Sequence, residues 1–113
     1  MKYFETRYGA GTGQERLPIR PEKEALWAAA FGVDDLDYVF DLDTPATAIP
    51  KINAAIARFN HDPESLRPLL PPGEPGGLVR SRRVLEQLRA TLADHEDASI
   101  SGAMEDESVP PTP

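Results

Sequence analysis

Apolar and polar residues alternate in two segments of the chain, and this alternation predicts β-strands. The first segment, KYFETRY at residues 2–8, carries aromatic side chains on both of its faces. The second, DLDYVFDLD at residues 35–43, directs apolar side chains and aspartates to opposite faces: Leu36, Tyr38, Phe40 and Leu42 against Asp35, Asp37, Asp41 and Asp43. We expect the two segments to pair as a short sheet, which helices must cover.

Four further segments show the spacing of amphipathic helices. The first follows Pro21 and ends at Gly32, a residue suited to the left-handed position after a helix. The second has an apolar stripe, and it begins either near Pro50 or at Thr44 with a kink at the proline. A short third helix follows Asp62, and the last, over residues 78–96, is the longest and most amphipathic.

These elements predict an α+β fold that is mainly helical, with a short two-stranded N-terminal sheet packed against three or four short helices. Residues 1–95 form the single small domain, with glycine- and proline-rich loops at 9–21 and 71–77. Residues 96–113 are acidic and end in prolines, so we expect a disordered tail. The candidate core residues are Phe4, Leu26, Trp27, Phe31, Leu36, Phe40, Ile49, Ile52, Ile56, Phe59, Leu66, Leu69, Leu85, Leu88 and Leu92.

The formal net charge of −7 is concentrated in two stretches. Residues 31–50 contain five aspartates and no lysine or arginine, and residues 94–113 contain six acidic residues and no basic one. Phosphate repulsion disfavours direct nucleic-acid binding, and a basic partner surface is the natural complement. The chain has no cysteine, no signal-peptide pattern and no apolar stretch long enough for a bilayer, so we expect a cytoplasmic protein without membrane association.

The sequence YVFDLDTP at residues 38–45 resembles the first motif of the haloacid-dehalogenase-type phosphotransferases. In that family the first aspartate is the nucleophile and the second is the general acid, with Mg²⁺ between them. The resemblance therefore implies these roles for Asp41 and Asp43. It ends after a few residues, because the family has Gly-Thr where this chain has Thr44-Pro45, and no later aspartate pair follows. The alternative interpretation is a strand with a solvated acidic face.

Other segments lack the companions that a catalytic or cofactor site needs. The glycines of GAGTG at residues 9–13 are followed neither by a clear helix start nor by a lysine, which favours a flexible loop over a phosphate site. The two histidines, His61 and His95, have too few neighbouring ligands for zinc. We therefore expect no enzymatic activity, no metal and no cofactor.

Two charged surfaces of opposite sign are the candidate partner-binding sites. The strand aspartates form one surface and the arginines of the last helix form the other: Asp35, Asp37, Asp41 and Asp43, and Arg80, Arg82, Arg83 and Arg89. The arginines can also belong to a solvated helix face paired with nearby carboxylates.

Three hypotheses of function follow from these surfaces and motifs. The first is a non-catalytic protein-binding module (an accessory subunit, adaptor or inhibitor) that docks on a macromolecular partner, or on a second copy, through the last helix or the acidic strand. The second is an acidic nucleic-acid mimic, of the anti-defence or immunity type, that inhibits a basic nucleic-acid-binding protein. The third is a small Mg²⁺-dependent phosphotransferase that uses Asp41 and Asp43.

Overall fold

The computed structural model describes residues 2–37, 39–74 and 76–105. The elements are β1 (Lys2–Tyr8), β2 (Gly13–Ile19), α1 (Glu24–Phe31), β3 (Phe40–Asp43), α2 (Pro45–His61), α3 (Pro63–Leu66), α4 (Gly77–Asp94) and β4 (Ser99–Glu105), with 3-10 turns at Pro21–Lys23 and Arg67–Leu69. The strands form one antiparallel sheet in the order β2-β1-β4-β3. The predicted α+β class is confirmed, but the sheet has four strands instead of two.

β1 and β2 form a hairpin, so part of the segment predicted as a loop over residues 9–21 is a strand. Tyr8 pairs with Gly13, and the register continues without a shift to Ile19. Alternate positions of β2 are apolar only at its end, at Leu17 and Ile19, and Gly13 and Pro18 give the sequence the composition of a loop. Pro18 is accommodated because β2 is an edge strand, where one side of the backbone needs no partner.

β3 is shorter than the predicted strand and pairs with β4 instead of β1. Leu42 has a positive φ of 51° and is 70% exposed, whereas Asp43 is buried. The pairing register shifts between Phe40 and Asp43, and this irregularity reverses which side chains face inward. The prediction of strict alternation over residues 35–43 is therefore wrong. Tyr38 lies outside the described residues.

The segment 99–105 forms β4, although the sequence predicted disorder from residue 96. β4 lies between β1 and β3, so its backbone is paired on both sides. Ile100 is fully buried on this strand, and Ala98 and Ala103 are buried beside it. A central strand can be buried with few apolar side chains because its backbone N–H and C=O groups are hydrogen-bonded on both sides. Residues 106–113 lie outside the described residues.

The helices follow the sequence prediction closely. α1 ends at Gly32, which has the left-handed φ of 71°. α2 begins at Pro45, the earlier of the two predicted starts, and it retains Pro50 in its interior. The backbone N–H of Thr44 donates to Thr47 Oγ1 at 3.1 Å and so satisfies a group at the start of this helix. In the part of the chain that the structure describes, no helix is both long and apolar enough to cross a bilayer.

The core lies between the sheet and the helices. The Phe4 ring of β1 meets the rings of Phe31 and Phe40 edge-on, at centroid distances of 6.0 and 5.3 Å. Most predicted core residues are buried, while Phe31, Ile49 and Leu69 are partly buried against the core. Several core residues were not predicted from the sequence: Ile19, Ala30, Val39, Ala48, Ala55, Ala98, Ile100 and Ala103.

Candidate partner-binding site

The outer edge of β2 offers backbone hydrogen-bonding groups that no other strand uses within residues 2–37, 39–74 and 76–105. In an antiparallel pair, alternate residues direct their N–H and C=O groups to the neighbouring strand. Pro18 has no N–H to donate, so it occupies a position whose backbone groups point away from β1. Gln14 and Arg16 precede it by four and two residues, so their backbone N–H and C=O groups point away from β1 as well. Tyr3 lies opposite Pro18, and its carbonyl oxygen accordingly faces β4. This oxygen lies so close to Gly102 of β4 that a Cβ atom added to Gly102 would be 2.7 Å from it.

An apolar cavity of about 380 Å³ lies beside this edge, between β2 and α4. Its apolar surface comes from Leu17, on the helix side of β2, and from Val84 and Leu88, which are four residues apart on α4 and so share one face. Glu15 and Gln87 stand at its polar rim. A free strand edge next to an apolar cavity is the arrangement that proteins use to bind an extended segment as an added strand.

A second cavity of about 360 Å³ continues from the first, because Leu17 and Val84 line both. We call the two together the β2–α4 groove. The walls of the second cavity carry three cations and one carboxylate: Arg20, Lys23, Arg80 and Glu74. The groove therefore has an apolar section and a basic section.

Lys23 and Glu74 form the base of the basic section. Lys23 Nζ lies 3.3 Å from Glu74 Oε1 and 5.0 Å from the centroid of the Trp27 ring. Arg20 also donates a hydrogen bond to Glu74. Desolvation raises the pKa of Glu74, but the hydrogen bonds from Arg20 and Lys23 outweigh it and hold that pKa below its ordinary value. Glu74 is therefore an anion that occupies part of a cationic pocket.

Lys23 also donates to Ser81 Oγ at 2.9 Å, which brings together two residue types used in nucleophilic catalysis. Ser81 is fully buried, however, and its Oγ donates to the carbonyl oxygen of Gly77 within α4. No substrate atom can approach such a hydroxyl without rearrangement of the helix. We interpret the pair as a link between α4 and the turn at Pro21–Lys23.

Of the predicted acidic surface, Asp35, Asp37 and Asp41 are exposed. The Asp37 carboxylate lies 2.7 Å from Lys2 Nζ, which is 3.1 Å from Glu24 as well. The hydrogen bonds to Asp37 and Glu24 raise the pKa of Lys2 above its ordinary value. Asp37 and Asp41 line a cavity of about 460 Å³, together with Lys2 and the exposed Met104. These aspartates form a corner of the molecule at the β3 edge of the sheet.

Asp43 is not part of that surface, because it is buried. Its carboxylate lies 2.7 Å from Lys51 Nζ and accepts the backbone N–H of Asp41 at 2.8 Å. Desolvation raises the pKa of Asp43, but the hydrogen bonds from Lys51, Asp41 and Thr47 have the larger combined effect and hold this pKa below its ordinary value. Asp43 therefore fixes the junction between β3 and α2.

The geometry gives no support to the phosphotransferase roles of Asp41 and Asp43. The strand that carries them is in an antiparallel sheet, whereas the resembled family has a parallel one. Asp43 is held by Lys51, and the backbone of Asp41 is tied to it. Among the described residues, no group of three or more potential metal ligands is assembled.

The predicted basic surface of α4 is divided between two uses. Arg82 donates to Asn60 Oδ1 at 3.0 Å, and Arg89 donates to Asn53 Oδ1 at 2.9 Å, so these two arginines fasten α4 to α2. Arg80 and Arg83 are exposed, and within the described ranges neither forms a salt bridge. Only Arg80 lines the β2–α4 groove.

Comparison with known proteins finds no relative of this chain. No protein-family model, no curated protein and no solved structure matches the chain. The candidate site therefore depends on geometry and chemistry alone.

Most residues of this site were not predicted from the sequence, because β2 was predicted to be a loop. The two-residue spacing of Leu17 and Ile19 was the available signal, and it is too short to indicate a strand by itself. The basic section could not be found in this way, since Arg20, Lys23 and Glu74 come together only through the turn that precedes α4.

Proposed function

We propose that the protein is a non-catalytic binding module that takes an extended segment of a partner protein into the β2–α4 groove. The observation that carries this proposal is the free backbone edge of β2 directly beside the apolar cavity formed with α4. An added strand would bond to the N–H and C=O groups of Gln14 and Arg16, while one of its side chains enters the cavity. This is docking through the C-terminal amphipathic helix, with β2 as the second wall.

A second copy of the chain is a poor occupant of the same edge. Antiparallel pairing of two β2 strands about Glu15 places the Glu15 carboxylates of the two copies opposite each other. Pairing about Arg16 places the two Arg16 guanidinium groups opposite each other. Like charges in directly opposed positions destabilise a strand pair. In both of these registers the edge favours a different chain with its own side-chain sequence.

Two valines of α4 provide a matched test of the docking surface. Val84 lies in the groove, whereas Val79 is exposed on the same helix and does not line it. The immobilised wild-type protein and the Val79→Glu variant should capture the same partner from a lysate of the source cell, and Val84→Glu should lose it. Circular dichroism should show equal helix content in all three proteins. Capture that survives Val84→Glu would exclude the groove as the docking site.

The strand-addition mode has its own test at Arg16. Arg16→Ala removes the side chain but keeps the outward N–H, whereas Arg16→Pro removes both, at a position where an edge strand tolerates proline. We expect Arg16→Pro to bind the captured partner about tenfold more weakly than Arg16→Ala, in line with one lost hydrogen bond in a dry interface. Equal affinities of the two variants would mean that the partner does not add a strand at this position.

The acidic corner is a second candidate surface, supported by the exposed carboxylates of Asp37 and Asp41 around its cavity. The aliphatic part of a partner's lysine or arginine would contact Met104 while its charged end meets Asp37 and Asp41. This corresponds to the nucleic-acid-mimic hypothesis, with a basic protein as the target. Asp41→Asn should weaken such a complex, whereas Asp94→Asn, which removes an equal charge from the end of α4, should not.

A further inference from the structure

The basic section determines what kind of segment the β2–α4 groove accepts. Three cations meet in this cavity with a single carboxylate, so its formal charge is positive although the whole chain has a net charge of −7. Arg20 and Lys23 already share Glu74, and Arg20 also pairs with Glu22, whereas Arg80, on the wall formed by α4, has no salt-bridge partner among the residues described. The cavity thus retains capacity for another anionic group.

The aspartates near β3 are remote from this cavity in the sheet. β2 and β3 are the opposite edges, separated by three strand spacings, or about 14 Å. Charges at that separation are largely screened at physiological ionic strength, where the Debye length is about 8 Å. The aspartates near β3 therefore contribute little to the field in the basic section, where the nearest charges are those of Arg20, Lys23, Arg80 and Glu74.

We infer that the partner segment is an acidic extended peptide, with an aliphatic side chain for the apolar section and a carboxylate for the basic section. This inference depends on the proposed function, because it names the chemistry of the segment bound in the same groove. The apolar side chain contacts Leu17, Val84 and Leu88. The carboxylate is bound by Arg80, in the pocket where Glu74 is already held by Arg20 and Lys23. Arginine is well suited to this role because its guanidinium group binds carboxylates in a bidentate manner.

The neighbouring loop is consistent with this recognition. Glu74 lies in a segment rich in glycine and proline, with Gly73 at a φ of 74° and Gly76 also at 74°. It demonstrates, within the molecule, that a carboxylate is accommodated between Arg20 and Lys23. A second carboxylate brought by the partner would have Arg80 as its counter-ion.

The test uses the full chain and a displayed library of random linear 12-residue peptides as the probe. We expect the selected peptides to combine an aliphatic residue with a nearby Asp or Glu. Their affinity should fall about tenfold in Arg80→Gln, the usual loss when a charged hydrogen-bond partner is removed. It should be unchanged in Arg83→Gln, which removes the same charge from an exposed position of α4 outside the groove.

The outcomes separate this inference from the function on which it depends. Peptides that require Val84 but are not enriched in acidic residues, or that bind Arg80→Gln as well as the wild type, would overturn the inference and leave the proposed function standing. If no selected peptide depends on Val84, both are refuted. Light scattering that shows a dimer abolished by Val84→Glu would mean that a second copy occupies the groove, which also overturns the acidic-peptide assignment.

Discussion

Truncation of Ile100 to alanine tests whether β4 is an integral part of the fold. The Ile100 side chain is fully buried on the strand that lies between β1 and β3. Ile100→Ala deletes three buried carbon atoms, which corresponds to roughly 2.5 kcal/mol at about 0.8 kcal/mol each. The cavity that remains raises the expected loss in the free energy of unfolding to about 3–4 kcal/mol. That is a large share of the roughly 5–15 kcal/mol that stabilises a typical domain.

Urea unfolding followed by the fluorescence of Trp27, the single tryptophan, measures this loss. Trp27 is buried against Phe59 in the helical layer, so its signal reports unfolding of the whole core and not of β4 alone. Met104→Ala is the matched control, because Met104 is on the same strand but exposed, and we expect a loss below about 1 kcal/mol. If Ile100→Ala were no more harmful than Met104→Ala, β4 would not belong to the cooperative unit.

Two further changes test the local interactions of the fold. Asp43→Asn removes the charged partner of Lys51 and should lower the free energy of unfolding at pH 7 by about 1–3 kcal/mol. Because folding lowers the pKa of Asp43, this contribution to stability is complete above the ordinary pKa of 3.8 and is lost as the pH falls through the pKa of the folded state. The urea midpoints of the variant and the wild type should therefore converge towards pH 2. A difference between the midpoints that stays constant from pH 7 to pH 2 would contradict the ion pair. Gly32→Ala forces a side chain into a φ of 71° after α1 and should cost about 1 kcal/mol in the same assay, whereas unchanged stability would mean that this turn has another conformation.

The helices could be predicted from the sequence because their apolar stripes and end residues are local signals. Gly32 and Pro45 mark the end of one helix and the start of another, and both have these roles in the structure. β4 could not be predicted in this way. It has few apolar residues, and it is stabilised by pairing with two strands that are distant in sequence.

The candidate site was less predictable than the fold. Arg80, Arg82, Arg83 and Arg89 have similar sequence surroundings, yet two of them bond to asparagines of α2 and one lines the groove. The alignment of α2 and α4 determines which arginines bond to the asparagines and which one lines the groove, and no local sequence pattern contains that information. Asp43 illustrates the same limit, because the reversal at Leu42 turns it inward, away from the other aspartates.

The position of β4 in the sheet has a consequence for biosynthesis. β4 is the last of the four strands to leave the ribosome, yet it joins the β1–β2 hairpin to β3. Until it is available, the inner edges of β1 and β3 have no strand between them, and their apolar faces cannot be fully covered. The pairing of β1 with β4 also closes a loop of nearly the whole described chain, which makes folding slow compared with that of a helical bundle. The core is therefore completed only after β4 has left the ribosome, and chaperone binding during synthesis should favour chains that end before Ser99.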